Sequence, residues 1–215
     1  MNKILPLIAF VLFCLIDFIG IYLEKQMMIN FAKPMLMISL FWYYYSNTKT
    51  MNKHFVLGLF FSFLGDVLLI GSGEIYFILG LLFFLIAHVF YIIMVLKILQ
   101  KTRLKNFIIA GIPFLLLFLV LINVLYDGLG TMKIPVIIYA MTISFFGVVS
   151  LLLYIQIQTK ISLLLLFGVL IFIASDTILA LNLFYEKLSF YPILIMMTYV
   201  LAQYLICRFV LKLNK

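Results

Sequence analysis

The chain has 215 residues, of which 67% are apolar and only 10% charged. Soluble domains carry about 25% charged residues, so this composition, with a mean hydropathy of +1.32, excludes a soluble globule and indicates an integral membrane protein. The formal charge of +8 belongs to loops that set topology, not to a nucleic-acid surface, because no polar basic stretch with interleaved aromatics is present.

No long polar segment remains for a second domain, so residues 1–215 read as a single transmembrane domain. Eight apolar runs follow in order: Ile4 to Leu23, Met28 to Tyr45, Phe55 to Ile70, Tyr76 to Leu96, Phe107 to Tyr126, Ile134 to Ile155, Ile161 to Phe184 and Leu188 to Leu211. Most approach the roughly 20 residues that span about 30 Å of hydrocarbon. The third, at 16 residues, must stand untilted, extend at its ends or be locally shielded. Helices are the expected spanning element because they satisfy their own backbone groups, and the short connections make neighbours antiparallel. The expected fold class is therefore all-α, a polytopic membrane protein with eight transmembrane helices.

Lys3 followed by an apolar stretch to Ile16 resembles a signal peptide, but no A-x-A-like site follows, and Phe13 before Cys14 is too large for a lipoprotein signal. The first run is read as an uncleaved helix. Cys14 and Cys207 fall inside apolar runs with no partner at metal-ligand or redox spacing, and read as packing residues.

Loop charges test the span count independently. With eight spans, Lys3, Lys49, Lys53, Lys97, Lys101, Arg103, Lys105, Lys160, Arg208, Lys212 and Lys215 share one side, which makes eleven bases and no acid. Lys25, Lys133 and Lys187 fall on the other side with Glu24, Glu74, Asp127 and Glu186. The richer side is cytoplasmic and holds both termini. The expected location is a cell membrane, of the bacterial inner-membrane type.

Asp17, Lys33, Asp66, His88 and Asp176 lie within the spans. A charge at membrane depth costs at least about 2.5 kcal/mol, so it faces a protein interior or a wet cavity and marks function. Followed in their alternating directions, Asp17, Asp66 and Asp176 fall about two thirds of the way to the outer face, a depth taken from the span assignment. Lys33 enters from that same face, and His88 lies deeper. Asp17, near an end and able to snorkel, reads as a structural charge. Asp66, Asp176 and Lys33 read as a functional site. Ser62 lies one turn from Asp66, and Gly65 lets another helix approach. Gly80, Phe84, His88 and Tyr91 form one stripe, Met196, Tyr199 and Gln203 another, and Tyr139 with Thr142 a third. LGDVLLI at 64–70 and ASDTILA at 174–180 resemble each other and occupy third place in each four-helix half, the pattern of a duplication.

The segments Lys33-Pro34, SFLGDVLL at 62–69, FILGLLFFLIAHVFY at 77–91, the Tyr139 region, FGVLIFIASDTILALNLF at 167–184 and TYVLAQYLI at 198–206 together resemble the YhhN-like family of polytopic membrane proteins, which includes lysoplasmalogenases. The first helix and the stretch from Lys97 to Lys133 contribute little. The resemblance implies a hydrolase that cleaves the vinyl ether of a lysoplasmalogen or related lysolipid to release a fatty aldehyde, with no cofactor. Such a reaction protonates an alkene carbon and then captures an oxocarbenium ion with water. It needs an acid, an anion beside the cation and a base, a division of labour between carboxyls known from glycosidases. Asp66 and Asp176 are the expected acid and base, in either order. Lys33 biases one of them, His88, Tyr139 and Tyr199 orient water or the ether oxygen, and Gln203 and Ser62 share their faces. The expected partners are the lipid bilayer and a lysophospholipid substrate.

Three rivals are weighed against it. Intramembrane Asp, Lys and His also make proton relays, so a proton-coupled transporter or flippase of a lipid or small amphiphile is the main alternative; it predicts discontinuous helices and openings on both sides. A zinc site wants several histidines or thiolates, and His88 is the sole intramembrane histidine, so no metal site is expected. A Ser-His-Asp triad would use Ser62 or Ser175, but no nucleophile elbow precedes either.

Overall fold

The structure, a computed structural model, describes residues 4–213. Lys3 and Lys215, counted above on the basic side, lie outside the described residues. Among the described residues eight α-helices follow one another: α1 (Leu5–Tyr22), α2 (Gln26–Asn47), α3 (Lys53–Leu68), α4 (Glu74–Leu96), α5 (Leu104–Leu125), α6 (Lys133–Ile157), α7 (Lys160–Phe184) and α8 (Tyr191–Leu213), with a short 3-10 turn (Gly130–Met132) leading into α6. No strand occurs among the described residues. Each apolar run of the sequence is a helix, with ends displaced by a few residues where capping residues rather than hydropathy decide them. Asn52 caps α3 by accepting from the backbone N–H of His54 and Phe55, both at 3.1 Å, so that helix starts earlier than its apolar run. Thr159 and Ser162 close a reciprocal capping box at the start of α7. Pro192, in the first turn of α8, suits the start of a helix because its missing N–H would be unpaired there anyway.

Six of the helices are long and apolar enough to cross a membrane: α1, α4, α5, α6 with its leading turn, α7 and α8. The chain is thus an all-helical polytopic membrane protein. The two helices short of that standard carry site residues. α3 has 16 residues, about 24 Å at 1.5 Å per residue, and α2 is diluted by Gln26, Asn30, Lys33 and Ser39.

Packing is strongest within the pairs α1/α2, α3/α4 and α7/α8, followed by α4 against α6 and α5 against α6. Each half contains the same succession of neighbours, first with second, second with third and third with fourth. Asp66 and Asp176 thus occupy matching places, as the local sequence likeness anticipates. Lipid tails are as apolar as the core, so close approach and hydrogen bonds, not exclusion of water, hold such helices together. Gly65 illustrates it: a Cβ there would stand 2.6 Å from the Phe84 ring of α4. Gly128 is tighter still, because a Cβ would collide with the Phe184 carbonyl oxygen, so this link can pass the end of α7 only as glycine.

The bundle has two unlike ends. At one, Glu74 at the start of α4 accepts a hydrogen bond from Thr131 at 3.0 Å, and Phe77 stacks edge-on to Phe184. At the other, the Gln156 side chain grips the α4–α5 link by donating to the Gln100 carbonyl at 3.0 Å and accepting from its N–H at 3.1 Å. α5 is peripheral, with only Ala110, Phe114 and Leu125 buried.

Candidate functional site

A cavity of about 540 Å³ opens at the Glu74–Thr131 end of the bundle, within the 300–1,000 Å³ range of small-molecule sites. Gly71, Gly73, Glu74 and Thr131 frame its mouth, and Lys33 lies on its wall. Asp66, Tyr139, Asp176 and Tyr199 supply its polar interior, while Leu69, Phe77, Leu81, Leu179, Leu183 and Met196 supply apolar sides. The result is one amphiphilic chamber with charges from α2, α3, α4 and α7. All of these residues come from the half of the bundle nearest that end, and α3, α6, α7 and α8 run through it unbroken.

Two aspartate–tyrosine pairs dominate the chamber. The Tyr199 hydroxyl donates to Oδ2 of Asp66 at 2.7 Å, and the Tyr139 hydroxyl donates to Oδ2 of Asp176 at 2.6 Å. Both lengths lie at the short end of the range for O–H···O hydrogen bonds. Each tyrosine comes from a different helix than its aspartate and orients the carboxyl, and among the described residues no hydrogen bond reaches Oδ1. Asp66 is almost wholly buried, at 2% exposure, whereas Asp176 is half-buried. The two carboxyls therefore occupy unlike surroundings within one cavity.

Gln203 supports the first pair from behind. Its Nε2 donates to Ser62 Oγ at 3.0 Å and reaches the Tyr199 hydroxyl at 3.4 Å, while its Oε1 accepts from the Tyr91 hydroxyl at 3.0 Å. Gln203 and Ser62 thus stand behind the Asp66–Tyr199 pair and do not line the cavity. Tyr91 was legible in the sequence only as part of a packing stripe. Its partner lies 112 residues away, so periodicity gives no hint of the bond. Replacing Gln203 with Leu strands the Tyr91 and Ser62 hydroxyls in a dry interior, at about 1–3 kcal/mol for buried polar groups left unpaired. The expected result is a lower unfolding midpoint in detergent than for Gln203→Glu, which keeps an acceptor for Tyr91.

His88 departs from the expectation that it orients water. It is 1% exposed and does not line the cavity. Its ring is packed edge-to-face against Phe172 at 4.6 Å and Tyr139 at 5.5 Å, with Phe146 at 6.0 Å. Beyond an interaction with the Phe84 carbonyl one turn back, neither ring nitrogen makes a well-formed hydrogen bond. Its place is behind Tyr139, as a wall. Thr142 is likewise spent on its own helix, donating to the Ile138 carbonyl at 2.9 Å. Ser175 does line the cavity, but its hydroxyl clamps α7 to α8 by donating to the Ile195 carbonyl at 2.9 Å, and no histidine activates it. Among the described residues, no three His, Cys, Asp or Glu side chains are grouped so as to hold a metal ion.

Sequence reasoning missed Glu74 and Thr131 at the mouth, since both look like ordinary loop residues until α4 and the α5–α6 link are brought together. Asp17 is fully buried on α1 but outside the cavity lining.

Comparison with known proteins agrees with the pattern of residues. No curated protein and no solved structure matches the chain. The model of the YhhN family matches residues 28–210, which include both aspartate–tyrosine pairs, Lys33 and Gln203 and leave out Asp17. With that match running from α2 through nearly all of α8, the chain belongs to the YhhN family.

Proposed function

We propose that the protein is a membrane-embedded hydrolase that cleaves the vinyl ether bond of a lysoplasmalogen or a related lysolipid. The observation that carries this reading is the presence of two tyrosine-bound carboxyls, in unlike surroundings, in one cavity with apolar walls and a polar mouth. An amphiphile with a single hydrocarbon chain suits such a chamber, its ether oxygen lying where chain and head group meet.

The chemistry balances with water alone: R–CH=CH–O–R′ and water give R–CH2–CHO and HO–R′. One carboxyl delivers its proton to the alkene carbon remote from oxygen, and the π electrons form the new C–H bond. The carbon bearing oxygen becomes cationic and lies beside the second, ionised carboxylate. That carboxylate takes a proton from water as the water oxygen bonds to the cationic carbon, which gives a hemiacetal. The ether C–O bond then breaks, its oxygen leaves with a proton, and the remaining hydroxyl gives up its own proton as the aldehyde forms. General acid–base assistance of this kind is worth about 10²–10⁴ in rate. Tyr139 and Tyr199 orient the carboxyls, and Lys33 supplies positive charge at the wall.

The proposal includes the membrane arrangement: eight spans in a bacterial inner membrane with both termini cytoplasmic, supported by eleven bases without an acid on one side. The cavity mouth then faces outward, and the shortness of α3 is met by the open mouth beyond its end. A transporter needs access from both ends, and no feature of the cavity favours that reading.

The test is incubation of the detergent-solubilised protein with a lysoplasmalogen and with its saturated alkyl ether. Aldehyde release from the first and none from the second is expected. A wild-type protein that binds the lysoplasmalogen and releases no aldehyde over hours would sink the hydrolase reading.

A further inference from the structure

The Tyr139–Asp176 pair is bordered by open space on two sides. One side is the chamber; the other is a crevice of about 40 Å³ between α5, α6 and α7, whose wall also includes Tyr139 and Asp176. Two anchors hold α5 above and below that crevice. Phe114 is seated where Gly147 of α6 leaves no room for a Cβ, and Leu125, 0% exposed, is packed with Leu129, Met132 and Val136. The antiparallel register set by these anchors brings Leu117 and Leu121 of α5 towards Ser144 and Ala140 of α6, whose small side chains leave the space unfilled. On α7 the crevice is bounded by Ile173, Asp176, Thr177 and Ala180, one helix face at offsets of three, four and seven. α5 meets α7 only lightly, and Leu117 stands 37% exposed at the rim. In a membrane-spanning bundle the crevice therefore gives on hydrocarbon, not on water.

An amphiphile bound in the chamber needs such an outlet. With its head group at the Glu74–Thr131 mouth and its ether between the carboxyls, its hydrocarbon chain continues on the far side of the ether, away from the mouth. Straight beneath, the bundle is closed: Phe146 and Phe172 are both 0% exposed, and the His88 ring is packed against them. Beside Asp176 the protein is thinner. The crevice exceeds the roughly 10–15 Å³ that a water-sized group needs, yet it is far too narrow for a polar head group. We propose that the crevice is the chain subsite, a lateral slot through which the hydrocarbon chain passes beside the Tyr139–Asp176 pair and out between α5 and α7 into the bilayer. The identity of that chain rests on the proposed ether hydrolysis. The two products then part by opposite routes, the head group through the polar mouth and the fatty aldehyde through the slot into lipid. Ser144 and Ala180 become residues that set which chains are accepted, touching the chain and not the reacting atoms.

A saturated alkyl ether lysolipid carrying a diazirine midway along its chain tests the route without any turnover. Photolysis with the wild-type protein, followed by peptide mass spectrometry, is expected to label the slot at Leu117, Leu121, Thr177 or Ala180. Excess unlabelled alkyl ether lysolipid should suppress that labelling, which separates the slot from casual contact with bulk lipid. Ser144→Phe and Ala180→Phe fill the slot from α6 and α7, and neither residue lines the chamber. Each should lose the suppressible labelling and lower the ratio of hexadecenyl to butenyl vinyl ether turnover by about tenfold or more, the scale on which a pocket discriminates methylenes. Leu119→Phe, on the exposed side of α5, should leave that ratio unchanged. Suppressible labelling confined to chamber walls such as Leu69, Phe77 and Leu183 overturns the inference. So does its complete absence, or a turnover ratio that neither filling variant alters. If one filling variant does not fold, the other and the wild-type labelling still decide. Suppressible labelling of the slot in a wild-type protein that releases no aldehyde leaves the chain subsite standing and fells the hydrolase reading. Aldehyde release with labelling on the chamber walls does the reverse.

Discussion

Replacement of either Asp66 or Asp176 by Asn is expected to lower aldehyde release by about 10²–10⁴ while the protein remains folded. The separation of the two effects comes from the geometry. Each carboxyl accepts a hydrogen bond from a tyrosine hydroxyl through one oxygen, at 2.7 Å for Asp66 and 2.6 Å for Asp176. An asparagine amide oxygen can accept the same bond from the same place, so the helix contacts survive. What the amide cannot do is give or take a proton in the reaction. The two single variants and the double variant should then be similarly inactive, because residues that act as a unit are strongly non-additive. Turnover by purified, monodisperse protein is the measurement, with thermal unfolding as the control. Near-wild-type rates in either variant would remove that aspartate from the mechanism.

Tyr139→Phe and Tyr199→Phe carry the second largest expected effect. Each deletes a hydroxyl and keeps a ring that is packed on aromatic neighbours: Tyr139 against His88, and Tyr199 against Phe84 at 5.7 Å and Phe172 at 5.5 Å. The ring remains in place while the carboxyl loses its orienting bond. A misplacement on the order of 1 Å costs about 10²-fold in rate, so each variant should lose about 10- to 100-fold in kcat with little change in KM. Tyr199→Phe should also weaken the fold more than Tyr139→Phe, because it leaves Gln203 with one fewer neighbour in a network that joins α3, α4 and α8. Steady-state kinetics and unfolding midpoints on the same preparations check both statements. Equal stability with unchanged kcat would show the hydroxyls to be bystanders.

The architecture was legible in the sequence because membrane helices announce themselves one at a time. Every apolar run became a helix, and the charged and polar residues inside those runs, Lys33, Asp66, Tyr139, Asp176 and Tyr199, met in one cavity. Burial of a charge in an apolar run is a local property, so it can be read locally. What could not be read was which partner each group would choose. Tyr199 and Asp66 are 133 residues apart and bond directly, whereas His88, on the same helical stripe as Phe84 and Tyr91, turns into an aromatic wall. Choice of partner depends on helix rotation and crossing, which hydropathy does not encode. The span count shows the same limit from the other side. α2 and α3 fall short as independent crossers, the one diluted by polar residues and the other 16 residues long.

The peripheral position of α5 bears on how this chain can change over generations. Most of its side chains, including Ile108, Ile112, Leu115, Leu116, Leu119 and Val120, are about half exposed on the bundle's outer surface. A lipid tail discriminates poorly among Leu, Ile, Val and Phe, so such positions are held to a property, apolarity, and not to an identity. Exchange among apolar residues there is expected to cost little, whereas in α3, α7 and α8 an exchange must preserve a hydroxyl, a carboxyl or the gap left by a glycine. The small share of residues 97–133 in the likeness read from the sequence fits this: the lipid, and not a neighbouring helix, sets the terms for the exposed side of α5.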